Sequence, residues 1–269
     1  MLLAELHGDR GTQDHILASH LPALLEQLAQ RWDGGLPWWF VRFRNPDHHL
    51  RLRLDLPTSD DFGAAAALVS GWADQLHAAG LLKDVRYCTS YPETGRWGSG
   101  PALAAVEEVF RADSAAVQTQ LQQPRTPSRR ALMAATCASI AVGYFGSAED
   151  GMRWLIDNVP AAAPGPIDRT LLNEAVVLAD PNDEWAALRA APGGPAIVAA
   201  WAPRDAALAA YNRHMVGPHT IGVDSDDVAG SLLHLHHARA YRIDFDDEAI
   251  ALYLARSAAK RWIARRGAS

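Results

Sequence analysis

Basic side chains are concentrated in residues 38–54, which read WWFVRFRNPDHHLRLRL. This stretch holds two apolar and basic runs, 38–44 and 49–54. The second run alternates leucine with arginine and residues 40–44 of the first alternate in the same way, with the period of two that is typical of a strand with one buried face. Because Asn-Pro favours a turn, Asn45-Pro46-Asp47 predicts a loop between two paired strands. Four arginines could then share one sheet face and hold a carboxylate or phosphate through paired hydrogen bonds: Arg42, Arg44, Arg51 and Arg53. The alternative is a solvated edge strand whose charges only prevent aggregation.

A glycine-rich loop, residues 91–100 with the sequence YPETGRWGSG, carries a second acid and arginine. It places Glu93 and Arg96 between a predicted strand, 85–91, and a predicted helix that begins at Pro101. Long loops that contain both kinds of charge are more often functional than structural. The alternative is a plain connection in which Glu93 and Arg96 pair with each other.

Three histidines lie within four residues of the segment 230–239, GSLLHLHHAR: His234, His236 and His237. A helix capped by Asp226 and Asp227 would place Ser231 and His234 on one face. The spacing lacks the acid of the zinc motif H-E-x-x-H, so we predict no metal site. We expect one of these histidines to transfer a proton, because imidazole titrates near neutral pH. The alternative is that His234 is a hydrogen-bonded core histidine.

Composition limits the class of protein. The 269 residues are 49% apolar with a net charge of −6, which argues against a general nucleic-acid binder. No segment reads as a membrane span or secretory signal, and two isolated cysteines fit a reducing compartment, so we expect a cytoplasmic location. The patterns predict an α+β fold, with a largely antiparallel sheet flanked by helices and a more helical C-terminal half. We treat residues 1–269 as one domain with a possible internal linker near 160–166.

Taken together, these stretches resemble the C-terminal domain of class I lantibiotic dehydratases and its stand-alone relatives in thiopeptide-type bacteriocin biosynthesis. The family block R-Y/F-x-D/N-P-x-x-H-L/I-R-L-R is matched by residues 42–53, and P-E-x-x-R-Y-G-G by 92–99. An E-x-x-F-x-x-D-S helix is matched by 107–114, and S-L-L-H-M-x-x-N-R by 231–239. The blocks occur in the family's order, and the departures are Trp97 for Tyr, Ser99 for Gly, Leu235 for Met and Ala238 for Asn.

The resemblance implies elimination chemistry on a ribosomally made precursor peptide, the peptide class known as RiPPs. A separate tRNA-dependent subunit would esterify Ser or Thr with glutamate, and this protein would remove the glutamate to leave dehydroalanine or dehydrobutyrine. The implied catalytic residues are His234, Arg96, Arg51 and Arg53. We further expect that the substrate-binding residues are Arg42, Arg44, Glu93, Ser231 and Arg239. The resemblance implies no metal or organic cofactor, no direct binding of nucleic acid and no association with a membrane. It leaves the oligomeric state open.

Two alternatives remain open at this stage. A sister branch of the same fold joins two dehydroalanines in a [4+2] cyclisation, which builds the pyridine of thiopeptides and releases the leader peptide. A third hypothesis is a non-catalytic subunit that binds the leader peptide or the glutamylating partner. We favour elimination because the four implied catalytic residues are all present, and a cyclase has no leaving glutamate to stabilise.

Overall fold

The computed structural model describes residues 1–216 and 218–267. The strands in this part of the chain are β1 (Leu2–His7), β2 (Trp38–Arg44), β3 (His48–Leu54) and β4 (Asp84–Cys88). The α-helices are α1 (Gln13–His15), α2 (Leu21–Arg31), α3 (Phe62–Ala78), α4 (Thr94–Trp97), α5 (Pro101–Leu121), α6 (Arg129–Phe145), α7 (Ala148–Asn158), α8 (Arg169–Leu178), α9 (Ala186–Arg189), α10 (Gly194–Asn212), α11 (Ser225–Ala240) and α12 (Phe245–Arg266). These elements confirm the α+β class, with an antiparallel sheet and a more helical C-terminal half.

Contacts divide the chain into two compact units. The sheet unit comprises Met1–Pro92 and Val117–Gln122, and the helical unit comprises Glu93–Ala116 and Gln123–Ser269. The predicted linker region lies inside the helical unit, where residues 161–166 form an exposed irregular loop.

The sheet unit is built on four antiparallel strands in the order β2-β3-β1-β4. One face is formed by Leu2 and Leu6 of β1 and by the three leucines of β3, all nearly inaccessible to solvent. Helix α3 packs on this face, since the Tyr87 hydroxyl donates to the Ala66 carbonyl oxygen at 2.9 Å and Tyr87 pairs with Ala4 in the sheet. Along β3, where leucine alternates with arginine, this pattern places the leucines on the buried side.

The register of the β2-β3 hairpin separates the arginines into two sets. Arg42 lies opposite Leu50, and Arg51 lies opposite Val41. Directly opposed residues of antiparallel strands project to the same face. Arg42 and Arg44 therefore lie on the face of the leucines, and Arg51 and Arg53 on the other. The prediction that all four share one face is wrong, because Arg44 pairs with His48 and this register sets Arg42 opposite Leu50, one position away from Arg51.

The helical unit is organised around α6, which contacts α7, α8, α10, α11 and α12. Most residues of α6 are buried, and many are alanine or serine, so neighbouring helices approach closely. A Cβ added at Gly151 of α7 would lie 2.5 Å from the backbone nitrogen of Val142. Only glycine allows the two helices this contact.

Two segments of the helical unit differ from the sequence prediction. The predicted loop 91–100 contains the short helix α4. The sequence pattern also predicts a helix within residues 167–188. The structure has two helices there, α8 and α9, because three consecutive residues between them, Asp183, Glu184 and Trp185, adopt positive φ angles of 49°, 54° and 64°. This backbone region is incompatible with a continuing right-handed helix.

Candidate active site

The helical unit contains a pocket of about 390 Å³ that is lined in part by Arg96, Ser231 and His234. Two of the four residues implied as catalytic therefore meet in one pocket. Asp226 and Asp227, near the start of α11, line it as well. Glycine at position 230 leaves open space beside them, since an added Cβ would meet nothing within 4 Å.

Helix α11 sets the spacing of the pocket residues. Asp224 caps the helix by accepting hydrogen bonds from the backbone N–H groups of Asp226 and Asp227. Ser231 and His234 are three residues apart, so both project from one face of the helix, as the sequence predicts. Arg96 comes to them from the separate helix α4.

Arg96 is held by a hydrogen bond and by the anchoring of its short helix. Its Nε donates to the Ser231 Oγ at 3.0 Å, and its guanidinium carbon lies 4.8 Å from the ring centroid of Trp97. Trp97 is buried, and its carbonyl oxygen accepts a hydrogen bond of 2.9 Å from the Tyr211 hydroxyl. The Trp at the family's Tyr position thus serves as the buried anchor of Arg96.

Glu93 and Arg96 also contact each other, as the alternative interpretation of this loop requires. The Glu93 Oε2 lies 3.4 Å from the Arg96 Nη1, and the Glu93 side chain is 64% exposed. An ion pair this exposed contributes little stability. The contact with Ser231 is the one that directs Arg96 into the pocket.

His234 is paired with an acid that the sequence analysis did not identify. Its Nδ1 lies 2.9 Å and 3.0 Å from the two carboxylate oxygens of Glu248, on α12. The ring of Phe245 is nearly parallel to the imidazole, at a centroid distance of 6.1 Å. Glu248 is fourteen residues beyond His234 and belongs to no recognised motif, so only the three-dimensional packing reveals it.

The other two histidines of the cluster are buried and face away from this chemistry. His236 Nδ1 lies 2.8 Å from Asp113 Oδ1, and Arg239 forms an ion pair with the same carboxylate. Arg204 is a further partner of Asp113, with Nη1 at 3.4 Å from Oδ1. Its burial favours a structural role for this cluster, which includes Arg239, one of the residues predicted to bind substrate.

The positive groups around Asp113 and the burial of its carboxyl change the pKa of that carboxyl in opposite directions. Burial alone would raise the pKa of Asp113, but contact with His236 and the guanidinium groups of Arg239 and Arg204 holds that pKa well below its ordinary value. Burial lowers the pKa of His236, with Asp113 opposing it only in part. Burial likewise lowers the pKa of His237 to about 4, so this ring is neutral at pH 7.

In the sheet unit, Arg51 and Arg53 already have partners. Arg51 Nη2 lies 2.9 Å from Glu5 Oε1, and its guanidinium carbon lies 3.6 Å from the ring centroid of Phe43. Arg53 lies over Trp39 at 4.1 Å, and its Nε donates to the Ser90 Oγ at 3.3 Å. Burial opposes ionisation of Glu5, but His49 and Arg51 lower the pKa of its carboxyl on balance.

The remaining candidates of this unit differ in exposure. Arg42 is buried, and its Nη2 donates to Asp14 Oδ1 at 2.6 Å, which favours a structural role. Arg44 is exposed at the end of β2. The stacking of Arg51 and Arg53 on aromatic rings fixes the planes of both guanidinium groups.

Two further features bear on ligands and membranes. Within residues 1–216 and 218–267, no three His, Cys, Asp or Glu side chains cluster as metal ligands would. In the same residues no single helix has the length and apolar character of a membrane span. Only α6 and α7 taken together do, across a bend of 117°.

Comparison with known proteins gives the family. The model of the C-terminal domain of lantibiotic biosynthesis dehydratases matches residues 2–259. The tRNA-dependent lantibiotic dehydratase MibB from Microbispora sp. 107891 is similar in structure, with a TM-score of 0.85 and 22% identity over 98% of this chain and 28% of MibB. TsrL is similar over 98% of this chain and 95% of its own, with a TM-score of 0.58 and 12% identity.

No curated protein sequence matches significantly. The chain spans 28% of the length of MibB, and the two structural likenesses show the fold. The family match covers nearly the whole chain and agrees with the order of the motifs. This protein therefore belongs to the family of lantibiotic biosynthesis dehydratase C-terminal domains.

Proposed function

We propose that this protein is a lyase that removes glutamate from glutamylated Ser or Thr residues of a precursor peptide, leaving dehydroalanine or dehydrobutyrine. The observation that carries the proposal is the meeting of Arg96, Ser231 and His234 in one pocket. The family membership supports it, because elimination of this kind is what the shared motifs imply.

The reaction needs a base and a cation, and the pocket offers both. His234 takes the proton from the α-carbon, the C–H electrons form the Cα=Cβ double bond, and the Cβ–O bond breaks. The departing glutamate bears one free carboxylate and gains a second as the ester oxygen leaves. A preorganised guanidinium stabilises this developing charge in the transition state, and Arg96 is held in place for that by Ser231.

Charge around the pocket also suits the rest of the leaving group. Asp226 and Asp227 supply negative charge for the ammonium group of the glutamate. We assign Arg51 and Arg53, with their guanidinium planes fixed by Phe43 and Trp39, to the same reaction on the basis of the family motif alone. Arg44 and Glu93 are exposed and remain candidates for contact with the peptide.

The proposal requires two partners. A leader-bearing precursor peptide is the substrate, and a separate tRNA-dependent subunit supplies the glutamyl ester. Since glutamyl-tRNA is a cytoplasmic molecule, we place the reaction in the cytoplasm. No cofactor is required by this chemistry.

Mass spectrometry of a synthetic peptide with one glutamylated Ser tests the proposal directly. We expect loss of intact glutamic acid with the wild-type protein and no loss with Arg96→Ala or His234→Ala. Arg153→Ala is the matched control, since this exposed arginine forms an ion pair along its own helix with Glu149, and it should retain full activity. An intact ester after incubation with the wild-type protein contradicts the proposal.

The same experiment separates the two alternatives. A linear peptide with two dehydroalanines would be converted to a macrocycle, with release of its leader, if the protein is a thiopeptide pyridine synthase. Inactivity on both peptides, with leader binding retained, would instead support a non-catalytic binding subunit.

A further inference from the structure

Glu248 lies beside His234 in a well-defined setting. It is in the first turn of α12, which Asp244 caps by accepting a hydrogen bond from the backbone N–H of Asp247 at 3.2 Å. The Glu248 side chain is only 13% exposed. Both its oxygens are within hydrogen-bond distance of one atom, the His234 Nδ1.

The neighbouring acid shows that this pairing is selective. Asp247 forms ion pairs with Arg130 and Arg242, as a structural carboxylate commonly does. In the described part of the chain, by contrast, no arginine or lysine forms an ion pair with Glu248. Its partner there is the imidazole that lines the pocket.

An ionised carboxylate can only accept hydrogen bonds, so the Nδ1 of His234 must carry a proton. The tautomer of a neutral imidazole is set by the hydrogen bond that one of its nitrogens makes. With the proton on Nδ1, the lone pair resides on Nε2, the nitrogen not engaged by Glu248. An unpartnered imidazole in water favours the opposite tautomer, with the proton on Nε2. In that tautomer Nε2 has no free lone pair and cannot accept a second proton.

We propose that Glu248 is a positioning residue that holds His234 in the Nδ1–H tautomer and so makes Nε2 the proton acceptor of the pocket. This inference rests on the proposed function. During the reaction Nε2 gains the α-carbon proton, and the Glu248 carboxylate balances the charge of the resulting imidazolium. Release of that proton to the departing carboxylate or to water restores the neutral ring, while the Nδ1 proton stays in place.

Nitrogen NMR of the histidine-labelled protein tests the tautomer without any substrate. We expect the His234 signals of the wild-type protein, recorded with the ring neutral, to show a protonated Nδ1 and an unprotonated Nε2. The signals are assigned to His234 by their absence from the spectrum of His234→Ala. In Glu248→Gln the amide can either donate or accept, so we expect a mixture of tautomers. A wild-type His234 with its proton on Nε2 overturns the inference.

Kinetics provides the second test. For Glu248→Gln we expect kcat to fall by about 10²-fold or more with little change in KM, because the variant alters the base and leaves the binding groups in place. Asp246→Asn is the matched control, since it makes the same change at an exposed site in the same turn of α12, and it should match the wild type. The double variant Glu248→Gln/His234→Ala should be no slower than His234→Ala alone.

The outcomes distinguish this inference from the proposed function. If the wild-type protein eliminates glutamate and Glu248→Gln does so at the same rate, the positioning role is wrong and the proposed function stands. If the wild-type protein shows no elimination, the proposed function fails, and the NMR spectrum still decides whether Glu248 selects the tautomer. Partial recovery of kcat in Glu248→Asp would show that a carboxylate is what His234 needs.

Discussion

The burial of His237 predicts a measurable acid sensitivity of the fold. This side chain is 2% exposed and packs beside the ring of Tyr241, at a centroid distance of 5.6 Å. Burial lowers the pKa of its imidazole from 6.5 to about 4. In the unfolded chain the ring regains its ordinary pKa and binds a proton below pH 6.5, so at mildly acidic pH the unfolded state holds the extra proton.

The size of the effect follows from proton linkage. A group with a depressed pKa in the folded state stabilises the fold fully above its unfolded pKa, and this stability is lost as pH falls toward the folded pKa. Between pH 8 and pH 5, a shift from 6.5 to about 4 removes about 2 kcal/mol from the free energy of unfolding. His236, whose pKa burial also lowers, acts in the same direction.

Urea unfolding at pH 8 and pH 5 measures this difference. We expect the wild-type free energy of unfolding to be smaller at pH 5, and the gap to shrink by about 2 kcal/mol in His237→Phe, which keeps an aromatic ring beside Tyr241. His15→Phe, at an exposed position, should leave the gap unchanged. A His237→Phe protein with the wild-type gap would refute the reasoning and would mean that His237 protonates freely in the folded state.

Three more predictions concern the site and its support. Asp113→Asn should lower the free energy of unfolding by about 3–5 kcal/mol in urea titration, because it removes the buried carboxylate with which Arg239 and Arg204 form ion pairs. Gly151→Ala should lower the free energy of unfolding by about 1–3 kcal/mol, because the added Cβ would meet the backbone of α6. Gly71→Ala, at a helical position with open space around it, should raise the free energy of unfolding by about 0.5–1 kcal/mol. Arg96→Lys should keep the fold and reduce kcat/KM for elimination by about 10²-fold, since an ammonium cannot reproduce the fork that binds a carboxylate; wild-type kinetics in this variant would argue against the role of Arg96.

The long apolar segments and the spacing of motifs were readable from the sequence. The apolar run from residue 129 to about residue 145 predicts one helix, and α6 has these bounds, because a helix buried on nearly all sides leaves a continuous apolar signal. Ser231 and His234 share one helix face, as the helical period requires. Their meeting with Arg96, more than 130 positions earlier, agrees with the order of the family motifs.

Two features could not be read from local pattern. Helix α12 carries Glu248 on a segment without a marked motif, and its pairing with His234 depends on how two helices pack. The distribution of the arginines depends on the register of the β2-β3 hairpin. Pairing of Arg44 with His49 would place Arg42 opposite Arg51, but Arg44 pairs with His48, and this difference of one position sets Arg42 opposite Leu50. The ends of strands, which fix the register of a hairpin, are the least certain part of a sequence pattern.

The three residues 45–47 that connect β2 to β3 consequently limit how this gene can vary in length. An added or deleted residue that was taken up by the strands would shift the pairing by one position and exchange the two sides of a strand, so that Arg51 and Arg53 would enter the leucine face. A change of two residues preserves the sides whether the strands or the turn take it up. Even-numbered insertions in this connection should therefore be tolerated more often than odd-numbered ones, a rule that can be checked in a library of length variants screened for soluble folded protein.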